Sequence, residues 1–168
     1  EKYRSIPRKK ILIAGSSGLI GTQMVAFLDT GGHEVYRLVR RKVENDFEIE
    51  WDPDNGVINA KEIEGFDAVI HLGGEGIGDK RWSKKRKEKI LTSRTGSTAL
   101  LAKTLSQIDD PPEVFMVASA VGYYGHSQEE NLTEESELGS GYLSDVCSAW
   151  EKSAQPAVDA GIRTIWLR

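Results

Sequence analysis

An apolar run, Ile11-Leu12-Ile13-Ala14, leads directly into Gly15-Ser16-Ser17-Gly18-Leu19-Ile20-Gly21, and a helix-like stretch follows at once. Three glycines at that spacing, between a strand signal and a helix signal, leave the chain few folds to choose from. Gly15 accepts backbone angles closed to other residues, Gly18 lets the main chain approach a pyrophosphate, and Gly21 lets the new helix lie close against the strand. The first-turn amides of such a helix have no internal partners and carry the positive end of its dipole. They therefore hold an anion without help from a lysine. The run from Gly15 through Ser16, Ser17, Gly18, Leu19 and Ile20 to Gly21 is the first candidate site, a dinucleotide-phosphate turn. A ligand-free strand-to-helix turn would use the same glycines, so the remaining sequence has to decide.

Strand and helix signals alternate along the rest of the chain, the pattern of a parallel α/β sheet. Lys10 to Ala14 reads as a buried strand, and Leu19 to Asp29 as a helix with Ile20, Val25 and Leu28 available to pack. Gly31-Gly32 ends that helix, and Glu34 to Val39 returns as a second strand. Phe47 to Ile58 reads as a small excursion or hairpin around Asp54-Asn55-Gly56. Ala68 to Leu72 and Val114 to Ala118 are further core strands, and Arg163 to Leu167 is the last. Ser83 to Ile108 is helical, in one piece or two. Leu143, Cys147, Trp150, Ala154 and Val158 share one helical face, with Pro156 expected to kink or end the helix. The expectation is a Rossmann-type doubly wound sheet with at least five parallel strands.

Beyond the second strand, where a carboxylate normally holds the adenosine ribose, stand Arg40 and Arg41. Guanidinium groups suit a ribose 2′-phosphate, so the local chemistry favours NADP, with NAD the alternative. Solvated arginines at a strand end are the plainer reading. Gly73-Gly74 offers a second place where backbone can lie flat against a cofactor.

These residues, taken with His71-Leu72-Gly73-Gly74-Glu75, Ser93-Arg94, Ala118-Ser119-Ala120-Val121-Gly122-Tyr123-Tyr124-Gly125 and Cys147-x-x-Trp150-Glu151, resemble the atypical short-chain dehydrogenase/reductases. The resemblance is to the nucleoside-diphosphate-sugar epimerase-like, or SulA-homologue, subgroup and covers the chain from Lys10 onward. It implies that Leu72, Gly73, Gly74, Glu75 and Arg94 join the cofactor site, and that Ser119, Tyr123 and Cys147 are the catalytic candidates. Catalytic relatives use a Tyr-x-x-x-Lys pair, in which lysine lowers the tyrosine pKa from its free value near ~10. This chain departs from that pattern: Val146 stands four residues after Tyr142, and the alternative register pairs Leu143 with Cys147. A neutral thiol supplies neither the charge nor the donors of an ammonium.

Net charge is −4, which argues against a nucleic-acid or anionic-membrane partner. The basic run Asp79 to Lys89 reads as a solvated helix face, and the acidic stretch Glu129, Glu130, Glu134, Glu135, Glu137 as a surface loop. No segment is long and apolar enough to span a membrane. A single cysteine rules out an internal disulfide and suits a reducing, cytoplasmic setting. His33, His71 and His126 have no metal-ligand spacing, so no metal is expected, and His71 reads as a packed core residue. Residues 1–9 read as an extension and 10–168 as an NAD(P)-binding domain expected to be incomplete, because the chain opens without methionine and stops where a strand ends. The expected function is an NADP-dependent oxidoreductase or epimerase acting on a small molecule, with a nucleotide sugar as a candidate. A non-enzymatic dinucleotide-binding module, with the cell-division link implied by the SulA resemblance, is the alternative. Oligomeric state stays open.

Overall fold

The computed structural model describes residues 7–78, 80–126 and 131–168. Residues 1–6 of the expected extension, Asp79 of the basic run, and Glu129 and Glu130 of the acidic stretch lie outside the described residues. The strands are β1 (Lys10–Ala14), β2 (Glu34–Val39), β3 (Glu48–Asp52), β4 (Val57–Ile58), β5 (Ala68–His71), β6 (Val114–Ala118) and β7 (Arg163–Leu167). The helices are α1 (Leu19–Thr30), α2 (Lys84–Leu105), α3 (Tyr142–Lys152) and α4 (Gln155–Asp159). They build one seven-stranded sheet in the order β4-β3-β2-β1-β5-β6-β7. All pairings from β3 to β7 are parallel, and β4 runs antiparallel to β3. This is the expected Rossmann-type architecture. The order reverses between β1 and β5, and a crevice opens there beyond the carboxyl ends of the strands.

Strand alternation sends Leu12, Leu38, Ile49, Trp51, Val69, Phe115 and Val117 to one face, under α2, α3 and α4. Ile11, Ile13, Val35 and Ile70 go to the other face, under α1. Leu12, Leu101, Leu105 and Phe115 are all fully buried in the first layer. Each such side chain is worth about 1.5–3 kcal/mol, so this layer carries most of the stability.

Two elements differ from the sequence reading, and a third, the long helix left open as one piece or two, is a single piece. The 47–58 segment is more than an excursion, because β3 extends the parallel sheet beside β2 before turning back as β4. Helix α2 runs unbroken for 22 residues through Gly96, since Ile90, Thr98, Leu101 and Leu105 on its buried face outweigh the propensity cost of about 1 kcal/mol for one glycine. The break near the last helix precedes Pro156: the chain turns at Ser153-Ala154, and Pro156 lies in the first turn of α4, where a missing N–H costs nothing. Ile20, expected to pack, is 64% exposed, and Val25 fills the α1 interface instead.

Candidate functional site

The three glycines of the first turn have different reasons to be there. Gly15 has φ +81°, and a Cβ on it would stand 2.7 Å from the Gly73 nitrogen. A Cβ on Gly21 would run into the Gly15 carbonyl oxygen. Both are required by the packing of β1, α1 and the loop after β5. Gly18 is different: its backbone is ordinary extended chain (φ −74°, ψ 173°), and a Cβ there would touch only the Gly15 oxygen, at 3.4 Å. Nothing among the described residues forbids a side chain at Gly18, which lines the crevice. The first helical bond of α1 runs from Thr22 N to Gly18 O, and no side chain caps the helix start. The amides of Leu19, Ile20 and Gly21 are therefore left for another acceptor. Leu19, 89% exposed, contributes backbone rather than side chain to this turn.

The crevice is an open cleft of about 1040 Å³. Of the residues expected to bind a cofactor, Gly15, Ser16, Ser17, Gly18, Arg40, Arg41, Leu72, Gly73, Gly74 and Glu75 line it. At the end of β2 the two arginines part company. Arg41 makes a two-pronged ion pair with Glu48, Nη1 to Oε2 at 2.9 Å and Nη2 to Oε1 at 2.7 Å, and also donates to Lys42 O. Glu44 approaches the same guanidinium at 3.3 Å. Glu48 has a side chain only 3% exposed, also accepts from Glu44 N–H, and is held down to a pKa of about 2 by the Arg41 guanidinium and that amide. Arg40 and the half-buried Arg37 also face the cleft, and neither makes an ion pair within 4.0 Å among the described residues.

The cleft floor at the end of β5 is uncharged. His71 is fully buried, and burial pushes its pKa down to about 4. Gly73 N–H donates weakly to Nδ1 at 3.4 Å, which leaves Nε2–H to donate to Ser97 Oγ at 2.9 Å; Ser97 donates on to Ser93 O at 2.7 Å. Glu75 is pinned to α2 by Arg86 and by Lys89 (3.3 Å), while its amide donates to Ser93 Oγ at 3.1 Å.

Beyond β6 the polar groups bind one another. Ser119 Oγ donates to Glu151 Oε1 at 2.6 Å, and Arg168 grips both oxygens of Glu151 at 2.9 and 2.8 Å. The Arg168 guanidinium lies 3.5 Å over the Tyr123 ring. The Cys147 thiol donates to Ala120 O at 3.7 Å, and burial pushes its pKa up. Ser119, Tyr123 and Cys147 are thus gathered around the Ala118 to Tyr124 segment, outside the lining of the main cleft. Tyr142 donates its hydroxyl to Lys87 O at 2.6 Å, and burial raises its pKa. Arg94 projects from α2 between the Gly74 loop and the Trp150 ring, 5.0 Å from the ring centre.

Sequence reasoning missed Glu48, Arg37 and Arg168. The alternation Glu48-Ile49-Glu50-Trp51 does place both acids on the face opposite the tryptophan. The buried acid, Glu48, is the one that Arg41 and the Glu44 amide bond, which no periodicity reports. No group of three metal-ligating side chains occurs among the described residues, and no described helix is long and apolar enough to cross a membrane.

Residues 11–150 match the family model described as the NAD dependent epimerase/dehydratase family. An epimerase family protein of Mycobacterium leprae is 37% identical over 158 residues, which are 94% of this chain and 51% of that protein. The human epimerase family protein SDR39U1 is 32% identical over 87% of this chain and 49% of its own length. The chain spans about half the length of these curated relatives. Among solved structures, a nucleoside-diphosphate sugar epimerase from Corynebacterium glutamicum superposes with a TM-score of 0.84 at 36% identity, covering 99% of this chain and 35% of that one. Human SDR39U1, solved with NADPH, superposes with a TM-score of 0.80 at 29% identity, covering 95% of this chain and 52% of that one.

Proposed function

Because the chain belongs to the NAD dependent epimerase/dehydratase family, we propose that it holds NADP(H) in the cleft and presents it to a small-molecule substrate. The observation that carries this reading is Gly18, a glycine that only an occupant of the cleft requires. The residues fit the group. The amides of Leu19, Ile20 and Gly21, unpaired at the start of α1, would hold its pyrophosphate, and Arg40 with Arg37 would suit an adenosine 2′-phosphate, which a ribose-binding carboxylate would repel. The NADPH in the solved human relative supports the same choice over NAD. When bound, the nicotinamide supplies hydride chemistry. The chain's own Ser119 is paired with Glu151, the Cys147 thiol with Ala120 O, and the Tyr123 ring packs under Arg168, all outside the lining of the cleft. A nucleotide sugar is the substrate class that the Corynebacterium glutamicum relative's name supports.

The same geometry favours one second reading, a dinucleotide-binding module without turnover. Tyr142 donates its hydrogen bond to the Lys87 carbonyl, and Val146, not a lysine, stands four residues after it on α3. Calorimetry with NADPH and NADH, followed by a search for substrate-dependent NADPH oxidation, separates the two. Tight NADPH binding with turnover supports the enzyme. Tight binding without turnover on any sugar nucleotide supports the module, and no binding of either cofactor removes both.

A further inference from the structure

The arginines of this molecule fall into two groups among the described residues. Arg41, Arg86 and Arg168 are each neutralised by a carboxylate: Glu48, Glu75 and Glu151. The half-buried Arg37 and Arg94 have no carboxylate within 4.0 Å among the described residues; Arg37 faces the main cleft, and Arg94 stands outside its lining. The groups around it do not supply the missing charge. Glu75, the nearest acid, is engaged by Arg86 and Lys89. The Cys147 thiol and the Tyr142 phenol, which also face it, are kept protonated by burial.

What holds Arg94 also leaves one edge of it free. Nη1 donates both of its hydrogens, to Glu75 O and Ile90 O, each at 3.0 Å, and the Trp150 ring supports the guanidinium from below. Nε and Nη2 have no hydrogen-bond partner among the described residues, and neither is a buried orphan; the one buried unpartnered side-chain polar atom among those residues is Arg86 Nε. The Nε–Nη2 edge is therefore unpaired and not sealed within the protein. Two parallel N–H groups on a fixed plane match the two oxygens of a carboxylate or phosphate. The plane lies against Gly74, where a Cβ would stand 3.2 Å from Arg94 Cζ, so the edge sits beside the loop that lines the cleft.

We propose that the free Nε–Nη2 edge of Arg94 binds the anionic group, carboxylate or phosphate, of a small-molecule substrate next to the cofactor. This rests on the cofactor reading and adds a substrate class to it. A sugar hydroxyl does not need a guanidinium held rigid and unneutralised, whereas an anion does.

The test titrates oxalate and, separately, inorganic phosphate into the protein with and without saturating NADPH. The Arg94 Nε–H resonance, assigned by its loss in Arg94→Lys, reports binding. Saturable movement of that resonance in the low millimolar range by one anion is expected, and the responding anion identifies the group. Arg94→Gln should weaken that anion at least about tenfold, read from the change the anion causes in the fluorescence of bound NADPH, and should weaken it more than it weakens NADPH. Arg94→Lys, which keeps the charge and loses the fork, should fall between. No saturable movement with either anion in the unaltered protein overturns the proposal, and that result stands even where Arg94→Gln does not fold. Equal loss of NADPH and anion binding in Arg94→Gln also overturns it, because the edge then serves the cofactor. Failure of the unaltered protein to bind NADPH strikes the cofactor reading instead, and the titration without NADPH still judges Arg94.

Discussion

The glycine turn that lines the cleft and the network beyond β6 are built on opposite plans. Around Gly15 to Gly21 the chain offers what it leaves undone: unbonded amides, an empty Cβ position and an unpaired Arg40. Beyond β6 the chain completes its own bonds, Ser119 to Glu151, Glu151 to Arg168, and Cys147 to Ala120. Unmet bonding capacity is what a ligand can use, and the first region has it to offer. The second is largely a closed network. Arg94 is its exception, a cation outside the cleft lining with the open character of the glycine turn.

The largest effect should come from filling the empty position. Gly18→Val is expected to reduce NADPH affinity by at least about a hundredfold while circular dichroism stays unchanged, since the backbone angles are allowed and only the Gly15 oxygen lies nearby. Retained affinity in a folded variant would break the contrast at its clearer end.

Acid should reveal the cleft floor at His71. His71 has a folded pKa of about 4, below the ordinary value near 6.5, so its contribution is complete above pH 6.5 and is lost as pH falls toward 4. Urea unfolding at pH 5 should show a loss of up to about 2 kcal/mol relative to pH 7, reduced in His71→Gln. Carboxylates such as Glu48, protonated near pH 2, act lower down the scale.

Arg40→Ala should weaken NADPH by about tenfold and leave NADH nearly unchanged, as expected for one charge-assisted contact to a phosphate. Arg41→Ala should shift both cofactors together, because its guanidinium braces the 41–48 loop through Glu48. A preference that tracks Arg41 and ignores Arg40 would show that the pair with Glu48 opens on binding.

The smallest effect belongs to the closed network. Cys147→Ala should change NADPH affinity by less than about threefold, and thiol reagents should react slowly at neutral pH because burial keeps the thiol protonated. Rapid labelling that NADPH prevents would make Cys147 part of the site.

What could be read in advance follows the range of the interactions. The β1-α1-β2 unit rests on apolar period and glycine placement within about 30 residues, and it stands where the residues put it. His71 as a packed, hydrogen-bonded core residue was legible from its strand. The arginines at the end of β2 were legible as a pair but not as different. Their difference is made by Glu48, whose burial belongs to the sheet and not to its neighbours in sequence. Ser119, Glu151 and Arg168 meet from three separate elements, so no spacing announces them. Pro156 misled because proline marks both the end of one helix and the start of the next, and here it is the start.

Helix α2 gives the cleft a mechanical dimension. At 1.5 Å per residue its 22 residues make a rod of roughly 33 Å. The inner end is clamped by Leu101 and Leu105, the outer end carries Arg86 and Lys89, and Arg94 stands midway. A tilt of about 5° around the clamp displaces the far end by about 3 Å, the length of a hydrogen bond. Repacking Leu105, on the far side of the molecule, is thus a way to detune the cleft without touching it. Distance from the cleft is no guarantee of neutrality along this rod.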